Sequence, residues 1–458
     1  MDQRGGKMTE KYEIDKETAI KLNKELAQKQ DIKQKLEKDK EKNNLQNVYD
    51  VFKKWLGIRE IDTNRIDIVL ATAISNKLEG TPIWLFLVGA SGDWKTTLVE
   101  SLDDLPNVEL IDQLTKNTLA SGKQNAEDLG ETLQNNSTIM IILDLASLTS
   151  TNREEKNQIW GQFRTLYDGD IYKRTGSGVN KAYTGCHVTI IACTTESIRD
   201  EILIHAQLGT RELMYDTGAD PVDNNFKMDK AWENENYEKQ MKKEMRDAVR
   251  NFVNWHPVKK DIEIPEDIKD FLKKEANRLS VLRAGGAVDR TYRELINPIT
   301  PEVPSRLIKQ LKRIYICLKS LDDNYSDKKT KQIISHIINS SGEKVRQMIL
   351  DILIQNPEEE FKIADIQDKL KIGRNSVKTQ LEQLWNLGVV HKKTIEERIG
   401  GYFTHDYESG REIRKGGRIE IVSYYSYNSM NKLYVVTPNV NNNTTIQHSI
   451  YNRGVNDG

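Results

Sequence analysis

Apolar residues recur in this chain with two periods. From Val48, the stretches VYDVFKKWLGI and IDIVLATAISNKL repeat them at helical spacing. The run Ile83 to Val88 is instead continuous. It is bounded by the turn Glu79-Gly80-Thr81-Pro82 and by a Gly-rich loop, which predicts a strand buried on both faces. Val108 to Ile111, Thr138 to Asp144, His187 to Cys193 and Leu213 to Tyr215 read as further strands. Helical stretches separate them, notably Thr96 to Leu102 and Asn157 to Tyr167. This alternation predicts an α/β domain of three layers around a parallel sheet.

Polar positions suggest the boundaries. Residues 1–45 are dominated by Lys, Glu, Asp and Gln and read as a charged helical or disordered arm, since Ile20, Leu22, Leu26, Ile32 and Leu36 sustain no heptad. Residues 46–222 hold the strand-and-helix core. Residues 223–335 are helical and charged, with an insertion-like part from Asn224 to Arg250. Residues 340–436 read as a separate small domain, and 437–458 as an Asn-rich flexible tail.

Composition narrows the classes. A chain of 458 residues exceeds one ordinary core. With 68 Lys+Arg against 69 Asp+Glu, any nucleic-acid surface has to be a local patch or channel. Cys186, Cys193 and Cys317 form no CxxC pair, and the seven histidines show no metal-ligand spacing. Met1 to Thr9 has no apolar signal core, and the longest apolar runs are strand-sized. A mean hydropathy of −0.65 agrees, and the expectation is a cytoplasmic protein with no membrane partner.

The chemistry concentrates after the first strand. Gly89-Ala90-Ser91-Gly92-Asp93-Trp94-Lys95-Thr96-Thr97 places Gly89, Lys95 and Thr96 at the offsets of a phosphate-binding loop. Loop N–H groups can face phosphates, Lys95 can reach the β- and γ-phosphates of ATP, and the Thr96 hydroxyl can ligate Mg²⁺. Trp94 stands where the pattern has glycine, which requires a ring turned from the nucleotide on ordinary backbone angles. Asp93 adds a negative charge beside the phosphates.

The strand Thr138 to Leu143 delivers Asp144, a second Mg²⁺ ligand through water. Leu145 follows, so a glutamate general base is missing there; Glu154 and Glu155 are nearby in sequence. Thr194 and Thr195, at the end of a strand expected to lie between the other two, are candidates for orienting the attacking water, or simply for capping the next helix.

Together these blocks resemble an AAA+ module, closest in layout to the MCM-like ATPases of archaea, phages and mobile elements. GTPIWLFLVGASGDWKTTLVESL, IDQLTKNTLASG and TIMIILDLASLTS carry the likeness over roughly Val48 to Leu321. QFRTLYDGDIYKRTGSG resembles that group's hairpin before the sensor strand, which implies DNA contacts from Lys173, Arg174 and Lys181. LGTREL is similar to the helix end bearing the arginine finger, which would make Arg211 reach a neighbour's γ-phosphate. PEVPSRL looks like the start of the lid helix, which would make Arg306 the second sensor. The resemblance implies a homo-oligomeric ring, by analogy a hexamer.

After Val345 the order helix, short strand, helix, turn, helix, strand is the winged helix-turn-helix arrangement. Arg374, Asn375, Ser376, Lys378, Thr379 and Gln380 would enter the major groove of DNA from its recognition helix. Lys392, Lys393, Arg411, Arg414, Lys415 and Arg418 would grip phosphates from the wing. Two functions follow: an ATP-dependent DNA motor of helicase or translocase type, or a DNA-binding regulator or loader that uses nucleotide as a switch.

Overall fold

A computed structural model of the chain describes residues 44–58, 63–123, 127–176, 178–205, 210–219, 224–286, 296–399, 402–406, 411–415 and 418–427. The expected tail, all of the expected arm but its last two residues, and Gly209 lie outside them. Two compact units are distinguished: Met1–Glu201, Arg211–Glu263 and Lys309–Ile337 form the first, and Ile202–Thr210, Ile264–Ile308 and Ile338–Gly458 the second.

The elements begin with helices α1 (Leu45–Leu56) and α2 (Thr63–Ser75), then strand β1 (Trp84–Val88) and helix α3 (Lys95–Glu100). There follow β2 (Val108–Ile111), α4 (Leu129–Leu133), β3 (Ser137–Ile142) and α5 (Arg153–Tyr167). A hairpin of β4 (Ile171–Arg174) and β5 (Asn180–Tyr183) leads to β6 (His187–Thr194), α6 (Ile198–His205) and β7 (Leu213–Asp216). Helices α7 (Asn224–Asn234), α8 (Glu238–Trp255), α9 (Glu266–Arg283), α10 (Ser305–Ser320) and α11 (Asp327–Ser341) come next. The chain continues through α12 (Lys344–Gln355), β8 (Phe361–Lys362), α13 (Ile363–Leu370) and α14 (Arg374–Asn386). It closes on β9 (Val390–Ile399), β10 (Tyr402–Asp406), β11 (Arg411–Lys415) and β12 (Arg418–Tyr427).

In the first unit the sheet runs β2-β3-β6-β1-β7, and every neighbouring pair is parallel. All five residues of β1 are buried, which is why it reads as an uninterrupted apolar run. Trp84 adds specificity: its indole N–H donates to the Val188 carbonyl at 2.8 Å. Its ring meets Phe163 and Tyr167 of α5 edge-on at 5.5 and 5.1 Å, which seats that helix on the sheet. Helix α2 is buried almost throughout, and Asp67 within it accepts hydrogen bonds from the hydroxyls of Tyr49 and Tyr325. Lys329 completes that group at 2.5 Å, so one buried carboxylate ties α1 and α2 to the chain around α11.

In the second unit β9 and β12 pair antiparallel from Val390↔Tyr427 to Ile399↔Arg418, and β8 joins β12 through Phe361↔Tyr425. Ile349, Leu353, Ile366, Val377, Leu381, Leu384 and Tyr425 form its core against α12, α13 and α14. Arg346 is 2% exposed. Its guanidinium donates to Val281 O at 2.8 Å and to Gln380 Oε1 at 2.9 Å, which satisfies carbonyls at the end of α9 while fixing α14. Among the described residues no helix is long and apolar enough to cross a membrane.

Candidate nucleotide site and nucleic-acid surfaces

The loop from Gly89 to Thr97 leaves the carboxyl end of β1. Gly89 N–H donates to Thr194 O at 3.3 Å. A Cβ on Gly89 would stand 2.1 Å from Thr217 Oγ1, so close approach is what requires glycine here. Trp94 differs from expectation. Its φ of 55° and ψ of 12° are left-handed, a conformation that costs an L-residue about 1–2 kcal/mol. The backbone thus takes angles that favour glycine although tryptophan stands there. Its half-buried ring has the Lys227 ammonium 5.9 Å from the centroid.

Asp93 is 6% exposed, ion-paired with Lys227 of α7 and 3.8 Å from Arg65 of α2. Its Oδ2 is buried with no hydrogen-bond partner among the described residues. The acidic charge thus lies against two cations, where the sequence alone suggested it would confront phosphates. Neither Arg65 nor Lys227 carries any local signal, since Lys227 lies 134 positions from Asp93 along the chain.

Lys95 donates to Gly89 O at 2.9 Å and to Ala90 O, so its ammonium spans the start of the loop. Burial lowers its pKa, opposed by Asp93 and Cys193. The Cys193 thiol is pushed up to about 12 by burial, against the pull of Lys95 and a hydrogen bond with Thr96. Cys193 was not singled out from the sequence, yet it lies in the field of Lys95, Thr96 and Asp144 together.

Asp144 is exposed just past β3, accepting the Ala146 N–H at 3.0 Å. Leu145 N–H donates to Cys193 O at 2.9 Å, which ties that end of β3 to β6. Thr194 pairs in register with Val88 and is 2% exposed, with its hydroxyl 3.5 Å from Thr195 O. Strand β6 stands between β1 and β3, so Gly89, Thr194 and Asp144 emerge at the same end of three adjacent strands. Ser91, Gly92 and Thr96 are exposed, and Thr97 is half-buried.

The two arginines are engaged within their own units. Arg211 has an 11% exposed side chain, 3.6 Å from Asp168 and 5.7 Å over the Tyr167 ring. Arg306, in the second unit, donates to Thr210 O at 3.2 Å and lies 3.9 Å from Glu302.

The β4–β5 hairpin divides the basic residues expected on it. Lys173 pairs across the hairpin with Lys181, and Arg174 with Asn180. Lys181 is 2.5 Å from Asp128 with a 10% exposed side chain, so it anchors the hairpin and is not offered to solvent. Lys173 is half-buried and donates to Lys116 O at 3.3 Å. Arg174 is exposed. Tyr172, passed over in the sequence, is 53% exposed; alternation along the strand gives it the same face as Arg174.

On α14, Arg374 and Asn375 are exposed, while Ser376, Lys378 and Thr379 are half-buried. Gln380 departs from its expected outward role, because its amide oxygen accepts from the buried Arg346. Lys392 is drawn inward as well, 2.7 Å from Glu382 and 4.6 Å over the Trp385 ring. Lys393 stays exposed, 3.4 Å from Glu360. Arg411, Arg414, Lys415 and Arg418 lie on described strands, but their side chains fall outside the described residues.

No family model matches the chain, and no curated protein does. Among solved structures, the apo C-terminal region of NrS-1 aligns with 70% of this chain and 72% of its own at 14% identity and a TM-score of 0.30. The active helicase Cch of SCCmec type IV aligns with 86% of this chain and 72% of its own at 12% identity and a TM-score of 0.33.

Proposed function

We propose that the chain is an ATP-dependent motor acting on DNA, an AAA+ ATPase of MCM-like layout with a winged-helix domain at its carboxyl end. One observation carries the reading: β6, ending in Thr194, lies between the strand that delivers the phosphate loop and the strand that delivers Asp144. That order sets the loop from Gly89 to Thr97, a polar strand end and a carboxylate side by side, which supports hydrolysis of a nucleoside triphosphate.

In this reading the loop N–H groups and Lys95 bind the phosphates of ATP, and Lys95 exchanges its loop carbonyls for phosphate oxygens. Thr96 and Asp144, an exposed hydroxyl and an exposed carboxylate, are hard oxygen donors that fit Mg²⁺ and would hold it. When bound, that ion supplies neutralisation of charge on the phosphates. Thr194 orients water. Arg211, released from Asp168 and Tyr167, meets the γ-phosphate of a neighbouring subunit in a ring. Arg306 acts from the lid. Tyr172 and Arg174 on the hairpin meet DNA by stacking and by charge, and Arg374, Asn375, Ser376 and Lys378 meet it from the recognition helix.

A second reading has its own support. The strained Trp94 and Leu145 after Asp144 favour a nucleotide-switched DNA-binding regulator or loader with little turnover. Steady-state ATP hydrolysis with and without DNA, for the wild type and Arg211→Ala, separates the two. DNA-stimulated turnover lost in the variant supports the motor. ATP binding without turnover removes it and leaves the switch.

A further inference from the structure

A groove of about 550 Å³ opens on the first unit, lined by Leu78, Glu79, Gly80, Lys260, Lys309 and Arg313 among others. Leu78 to Thr81 lead into the amino end of β1. The groove is therefore separated from the phosphate loop by the length of that strand, about 17 Å for five residues. It is a different place from the nucleotide site.

Its charge is unusual for a chain whose total is −1. Lys260, Lys309, Lys312 and Arg313 line it against one carboxylate, Glu79. On α10 three of these cations fall at positions i, i+3 and i+4 and so share a face. Arg313 is 8% exposed and is held there by the turn itself, donating to Leu78 O at 3.1 Å and to Glu79 O. Gly80, at φ 97°, lets that turn pass close: a Cβ there would be 3.2 Å from Arg313 Nη2. Lys260, Lys309 and Lys312 are exposed, and none makes an ion pair among the described residues. A guanidinium held by the turn, with three exposed ammonium groups and a single carboxylate lining the same groove, makes a net positive field suited to a polyanion.

We propose that this groove holds the sugar–phosphate backbone of a nucleic-acid strand. The inference rests on the reading that the chain acts on DNA and adds a contact which that reading does not contain. No aromatic side chain lines the groove to stack a base, so a free nucleotide would leave its base without a partner. Leu78 and Ile316 give the sugar an apolar strip, and the lysines take successive phosphates without regard to sequence.

The test uses the full chain, a fluorescein-labelled DNA of mixed sequence in single-stranded and duplex form, and a series of salt concentrations. In the triple variant Lys260→Ala, Lys309→Ala, Lys312→Ala, affinity at low salt falls about tenfold or more. The slope of log K against log salt becomes shallower by about 2–3. The triple lysine-to-arginine variant keeps both, and ATP hydrolysis without DNA is unchanged in each. Unaltered affinity and slope in the alanine variant overturn the groove, as does an equal loss in the arginine variant. A wild type that binds neither DNA form removes the DNA reading itself, a result distinguishable from the first two. Inorganic tripolyphosphate protecting the lysines from acetylation where DNA does not would assign the groove to a small polyanion instead.

Discussion

Lys227 of α7 forms an ion pair with Asp93 inside the loop from Gly89 to Thr97, and the same ammonium lies 5.9 Å from the centroid of Trp94. Helix α7 thus meets two unusual loop residues at once. Asp93 is tolerated because its charge is met from beneath by α7 and by Arg65 of α2.

Removing Lys227 leaves the carboxylate buried with a more distant cation. Lys227→Ala is expected to destabilise the protein by about 2 kcal/mol, less than a fully enclosed pair because the lysine side chain is 18% exposed. It is also expected to weaken ATP binding several-fold. Adding Asp93→Asn should restore most of both losses. Urea unfolding and nucleotide titration of the single and double variants decide it, and a double variant no better than the single one would sink the pairing.

Gly89→Ala should abolish nucleotide binding, because the new methyl meets Thr217 Oγ1. If crowding is the cause, adding Thr217→Ala recovers part of the binding, although Thr217 Oγ1 also donates to Val88 O at 3.1 Å. Recovery absent at every nucleotide concentration would point to a backbone requirement instead.

Asp128 anchors the hairpin and should make its stability sensitive to acid. Burial opposes its charge, but the Lys181 ammonium, the Ser121 N–H and the Tyr183 hydroxyl outweigh it and hold the carboxyl below its ordinary range. A depressed folded pKa means stability that is complete above the unfolded value, about 4, and lost as pH falls through the folded one. Asp128→Asn should therefore be less stable than wild type by about 1–2 kcal/mol at neutral pH. The gap should close towards pH 2. Urea unfolding at both ends of that range measures it; a gap independent of pH would mean the carboxylate's charge is not what matters.

The cysteines should be inert while the chain is folded. All three are buried, and burial lifts Cys186 to about 11 and Cys193 and Cys317 to about 12. Iodoacetamide at neutral pH should leave each unmodified by mass spectrometry until denaturant is added. Bound nucleotide should slow the labelling of Cys193 in partial denaturant more than that of Cys317.

What could be read from the sequence was what neighbouring residues decide. The run Ile83 to Val88 announced the buried strand seen at Trp84–Val88, because a strand buried on both faces shows in short-range spacing. The hairpin from Ile171 to Tyr183 was expected only through the resemblance of QFRTLYDGDIYKRTGSG to a family pattern. Partnerships across distance were hidden: nothing near Asp93 names Lys227, and nothing near Lys181 names Asp128. The same is true of Gln380 and Lys392, which looked outward on polarity alone until Arg346 and Glu382 turned them in. Trp94 misled in the other direction. Its side chain suggested relaxed angles, while its backbone is left-handed.

That indole also gives the molecule an optical property. One of its seven tryptophans stands immediately before Lys95, half shielded from water and close to a cation. A ligand that displaces solvent or the Lys227 charge around that ring is expected to change its emission in intensity and colour. The protein carries a fluorophore where its chemistry is expected, and occupancy can be followed in a stopped-flow cell on unlabelled material, against a Trp94→Phe blank.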